Sequence, residues 1–139
     1  MKNTSYLLVG NGRLSKHLQY YFSKLDLNFS VWERSEGFEK LLNQAEQATH
    51  ILLLISDSAI HDFYDCHFKS TDKTVIHFSG ALEIPGIIGI HPLMTFGHEL
   101  YDLSFYEQIP FVTTVAGSSL PGLRNQVYQI KKEDKAYYH

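Results

Sequence analysis

The stretch "LLVGNGRLSKHL", residues 7–18, decides how this chain is read. An apolar run stops at a Gly-Asn-Gly turn. The chain then resumes with Leu14, Leu18, Tyr21, Phe22 and Leu25 on one side of a helix. Strand, glycine turn and amphipathic helix in that order open a βαβ unit. Outward from this point the same alternation recurs. "FSVW" (29–32) is a second strand, and Phe38, Leu41, Leu42 and Ala45 line a second helical face. "HILLLIS" (50–56) is almost wholly apolar, as expected of a strand covered on both faces. Asp57 or Ser58 caps the next helix, whose Ile60, Phe63, Tyr64 and His67 share a side. "TVIHF" (74–78), "IIGI" (87–90) and "FVTTV" (111–115) are three more short strands. A last amphipathic segment runs from about Leu120 to Lys131, with Leu123, Val127 and Ile130 facing inward. Repeated βαβ units with right-handed crossovers predict a doubly wound, mainly parallel α/β sheet with helices on both faces.

The bulk numbers agree with that class. A chain of 139 residues is one domain by length and can bury a core. Its 44% apolar and 14% aromatic content suits a globular protein rather than a disordered one. A net charge of −3 gives no reason to expect nucleic acid as a partner. The lone Cys66 has no partner for an internal disulfide, which fits a reducing cytoplasm. No apolar run reaches the length of a signal peptide core or a membrane span, so a cytoplasmic protein away from the membrane is expected.

In a doubly wound sheet the first strand-to-helix turn lies beside the crevice where strand order reverses, the usual ligand site. "GNGRLS" (10–15) matches two of the three glycines of Gly-x-Gly-x-x-Gly. Gly10 permits the tight turn, and Gly12 lets a diphosphate approach the backbone. The free amides from Asn11 through Arg13 and Leu14, with the helix dipole, then meet its charge. Ser15 takes the third position, small enough for close helix–strand packing. These features predict a Rossmann-type dinucleotide site, against the plainer reading of a structural corner.

The second strand should end near the adenosine ribose, about 20 residues past the glycines. "VWERS" (31–35) is there. Glu33 stands where a carboxylate binds the ribose diol of NAD. Arg34 and Ser35 suit the extra phosphate of NADP. NADP is the expected cofactor, with NAD the alternative, and outward-facing roles for these side chains remain open.

"HFSGAL" (77–82) and "GIHPLMTFG" (89–97) follow the fourth and fifth strands, at the edge a nicotinamide would reach. With "VGNGRLSKHL", "WERS" and "LLLISDSAI" ahead of them, the chain resembles a family of Rossmann-like oxidoreductases. That family carries a helical C-terminal domain of unknown function after the nucleotide-binding one. It is similar to the wider group of pyrroline-carboxylate reductase, ketopantoate reductase and prephenate dehydrogenase. "IHPLM" is similar to the His-Pro-Met segment of prephenate dehydrogenases, where the histidine contacts substrate, which implies the same for His91. Ser15 departs from the family's usual glycine. The resemblance implies an NAD(P)-dependent oxidoreductase acting on a small carbonyl or imine metabolite, such as a ketopantoate-like keto acid. It also implies a homodimer, and it reads residues 1–131 as the dinucleotide-binding domain. "KEDKAYYH" (132–139) is then the opening of a missing helical domain.

With the hydride supplied by the cofactor, the protein must position substrate and manage one proton. His91 is the first choice, held by a strand end and Pro92, and His77 is the second. Ser79 is a hydrogen-bonding candidate for substrate or the nicotinamide amide, and Gly80 gives the ring close access. Ser56 ends the third strand and Asp57 follows it, where cofactor contacts are common, although helix capping also accounts for Asp57. His77 as a core residue and "HPL" as a turn are the plainer readings. No His/Cys spacing suits zinc, so no metal is expected. There is no Gly-x-Ser-x-Gly elbow and no Gly-Lys-Ser/Thr after the glycines. A nucleotide-binding or regulatory module without catalysis, an inactive truncated fragment, and an inert dimerising scaffold are the competing expectations.

Overall fold

The computed structural model describes residues 3–138. The chain runs β1 (Ser5–Val9), α1 (Arg13–Lys24), β2 (Asn28–Trp32), α2 (Phe38–Gln47), β3 (His50–Leu53), α3 (Asp57–His67) and β4 (Thr74–His77). It continues through β5 (Ile88–Pro92), α4 (Leu103–Gln108), β6 (Phe111–Thr113) and β7 (Val127–Gln129). Short 3-10 turns cover Arg34–Glu36 and Lys132–Tyr138.

Alternation along the strands builds two cores. Tyr6 and Leu8 of β1, Leu52 of β3 and Ile76 of β4 face one side, where Leu18, Tyr21 and Phe22 of α1 and Tyr106 of α4 cover them. Their neighbours Leu7, Val9, Ile51, Leu53 and Val75 face the other, under Leu41 and Ala45 of α2 and Ile60 and Tyr64 of α3. Each fully buried Leu of this set contributes about 1.5–3 kcal/mol by leaving water. Because both faces of β1, β3 and β4 are covered, these strands read as continuous apolar runs.

The seven strands form one sheet in the order β2-β1-β3-β4-β5-β6-β7. Pairings from β2 through β5 are parallel; β6 is antiparallel to β5, and β7 is parallel to β6. The architecture is a Rossmann-like, doubly wound α/β fold. Its 2-1-3-4-5 order places the switch point between β1 and β3, so the carboxyl ends of those strands flank the crevice.

Several details differ from the expected elements. The last amphipathic segment contains no helix: Pro121 and Gly122, whose φ of +90° lies in the left-handed region, interrupt it, and residues 127–129 add β7 to the sheet edge. Leu123 and Val127 nevertheless pack against the first core. On α2, Leu41 and Ala45 are buried, but Phe38 and Leu42 are each more than half exposed. The six-residue α4 was too short to show a period. Ser56, rather than Asp57 or Ser58, occupies the N-cap of α3. Among the described residues no helix is long and apolar enough to cross a membrane. Of the expected second-domain opening, His139 lies outside the described residues.

Candidate functional site

β1 ends where the glycine turn begins. The Gly10 amide donates to the Trp32 carbonyl at 2.7 Å, and its φ is +117°. A Cβ there would stand 2.3 Å from the Leu54 carbonyl oxygen, so only glycine lets β1 leave the sheet so close to the end of β3. Gly12 differs. Its φ of −82° suits any residue, but a Cβ would meet nothing within 4 Å, so the space above the first turn of α1 is open. Among the described residues no side chain caps α1, and its first-turn amides and positive dipole end face that space. Leu14 packs partly into the core, and Ser15 is buried against the sheet, where a larger side chain would push the helix away.

The carboxylate of Glu33, just past β2, is tied to this turn. Asn11 donates to Glu33 Oε2 at 2.7 Å and accepts from Gln19 at 2.8 Å. Ser35 Oγ lies 3.4 Å from the other carboxylate oxygen. Arg34 is exposed, and among the described residues no hydrogen bond engages its guanidinium. Arg13 turns the other way, donating to the Phe96 carbonyl (3.3 Å) and to His98 Nε2 (2.6 Å) on the loop after β5.

A second cluster lies at the carboxyl ends of β4 and β5. Ser79 Oγ donates to Asp57 Oδ2 at 2.8 Å and accepts the Ala81 and Leu82 amides at 3.1 and 3.2 Å. Its hydrogen-bonding capacity is thus committed to the turn, and Asp57 serves that turn rather than capping α3 through its side chain. Among the described residues Ser56 Oγ reaches only Ser58 Oγ, at 3.5 Å. His77 is 1% exposed and accepts the Ser79 amide at Nδ1. Its ring packs so tightly on Gly89 that a Cβ there would lie 2.8 Å from Cε1. Burial, aided by the Lys135 charge, pushes its pKa down to about 4, so it is neutral at pH 7. These are the surroundings of a core histidine.

His91 is half-buried, and its Nδ1 lies 2.9 Å from the Phe78 carbonyl. Since a carbonyl only accepts, the ring proton sits on Nδ1 and Nε2 is left as the acceptor. His91, Ser79 and Gly80 share a cavity of about 10 Å³, room for about one water. Glu83, Thr114 and Lys135 close it. Lys135 Nζ donates to the Leu82 carbonyl and, at 3.0 Å, to Glu83, which also accepts from Thr114.

The residues named from sequence therefore form two groups on one sheet edge: Gly10–Leu14 with Glu33, and Asp57, Ser79, Gly80 and His91. His77 stands behind the second group; among the described residues Ser35 joins the first only through its weak contact with Glu33, and Arg34 makes no hydrogen bond to either. Sequence reading missed Lys135, Glu83, and the pairing of Arg13 with His98. All three depend on contacts more than 50 residues apart, for which the local pattern carries no signal. No protein-family model matches the chain, and no curated protein is significantly similar to it.

Proposed function

We propose that this chain binds a nicotinamide dinucleotide across the carboxyl edge of its sheet and serves an oxidoreductase that acts on a small carbonyl or imine metabolite. One observation carries the reading: an uncapped α1 N-terminus, with open space over Gly12, stands at the switch point of a doubly wound sheet. The diphosphate rests on the amides of Gly12 through Leu14. Glu33 receives the adenosine ribose diol, and the nicotinamide end extends toward Gly80 and His91. A bound nicotinamide would supply or accept the hydride; His91 orients substrate and takes up or returns the reaction's proton at Nε2, its Nδ1 proton being engaged by the Phe78 carbonyl.

The tie from Asn11 to Glu33 favours NADH over NADPH. A carboxylate about 4 Å from an added phosphate opposes it by roughly 1–4 kcal/mol per unit charge. Arg34 is the group available to offset that repulsion. A binding module without turnover is the second reading, favoured by the water-sized cavity beside His91. Titration of NADH and NADPH against the emission of Trp32, the chain's single tryptophan, tests the proposal. Saturable change with NADH the tighter ligand supports it. No change with either, matched by no heat in calorimetry, refutes it.

A further inference from the structure

Beside the glycine turn, α1 and the loop after β5 enclose a cavity of about 280 Å³. It is lined by Gly12, Arg13, Lys16, His17, His98 and Leu100, with no acidic residue among them. Arg13 and Lys16 have no carboxylate partner among the described residues, in a protein whose net charge is −3. Arg13 is held by a carbonyl and an imidazole, neither of which neutralises it. Glu99, next to His98, does not line the cavity.

The cavity is built on a buried polar side chain. His17 is 1% exposed, and both its ring nitrogens are used. Nε2 donates to the Gly97 carbonyl at 2.7 Å, and Nδ1 accepts from the Tyr106 hydroxyl at 2.7 Å. The Tyr106 oxygen takes the Tyr101 amide at 3.1 Å, and the Tyr101 hydroxyl takes the Gly97 amide at 3.0 Å. Phe96 and Tyr101 pack on the His17 ring at 4.9 and 5.0 Å. This lattice of contacts fixes the loop that carries His98 opposite Arg13 and Lys16.

We propose that this cavity is a binding site for a small oxyanion, the carboxylate or phosphate of a metabolite, which borders the diphosphate turn at Gly12 and Arg13 and extends from it toward the loop after β5. Arg13 supplies a planar fork of donors suited to such a group, Lys16 a mobile ammonium, and His98 a ring nitrogen. The inference deepens the nucleotide reading by naming the charge of the second ligand. Affinity for a free anion, however, can be measured without any nucleotide.

The test follows backbone amides by NMR while inorganic phosphate or pyruvate is added at constant ionic strength, with and without saturating NADH. Saturable shifts at Arg13, Lys16 and His98 are expected with each anion, and they persist when NADH is bound. Lys16→Gln and His98→Asn, both exposed positions, should each weaken anion binding by about tenfold, the loss of one charge-assisted hydrogen bond. Neither variant should change NADH affinity measured at Trp32. Absence of saturable shifts, or anion binding indifferent to both variants, overturns the proposal. So does complete displacement of the anions by NADH, which would make the cavity part of the dinucleotide's own site. Anion binding in a protein that fails to bind NADH would sustain this inference and refute the nucleotide reading.

Discussion

His77 shows how one buried side chain sets a pH limit on the whole protein. Its folded pKa of about 4 lies below the ordinary 6.5, so the unfolded chain binds a proton more readily. The contribution of His77 to stability is therefore largely complete above pH 6.5 and is lost as pH drops toward 4. This group alone should cost about 2 kcal/mol between pH 7 and pH 5. Urea unfolding at the two pH values checks this, and His77→Gln should lose less stability over the interval than the wild type. Glu33 carries the corresponding claim for ligand choice. Glu33→Gln should weaken NADH by about 1.5–3 kcal/mol, the value of a hydrogen bond to a charged group, and narrow or reverse the preference over NADPH. Parallel titrations at Trp32 read both effects. An unchanged NADH affinity would remove Glu33 from the ribose subsite.

At the scale of elements, the loop after β5 is held to α1 chiefly through His17. Replacing His17 by Phe keeps a ring between Phe96 and Tyr101 but leaves the Gly97 carbonyl and the Tyr106 hydroxyl without it. Such unsatisfied groups cost about 1–3 kcal/mol. The expected result is a lower urea midpoint, with amide exchange at Gly97 and Tyr101 accelerated beyond the global change. β1, β3 and β4 were legible in the sequence because both faces are buried and the apolar runs are unbroken. The helices α1 and α3 were legible because their buried residues fall at helical spacing. β7 was not, since Leu120, Leu123, Val127 and Ile130 keep that same spacing across a proline and a left-handed glycine. The six residues of α4 gave no period to read.

At the scale of the molecule, the sheet order turns scattered motifs into one edge. Gly10 at the end of β1 and His91 at the end of β5 are 81 positions apart in sequence, yet parallel pairing from β1 through β3 and β4 to β5 brings both to the carboxyl side. The glycine turn and Glu33 could be found in advance because their spacing is local to one βαβ unit. The saturation of Ser79, the burial of His77 and the roof formed by Lys135 could not, because each is set by a neighbour the fold supplies. The central claim is that the first-turn amides of α1 hold a diphosphate. Amide NMR during NADH titration addresses it directly: Gly12, Arg13, Leu14 and Ser15 should show the largest saturable shifts, with Glu33 responding in step. Saturation with those amides unmoved, or no saturation at all, would contradict the account.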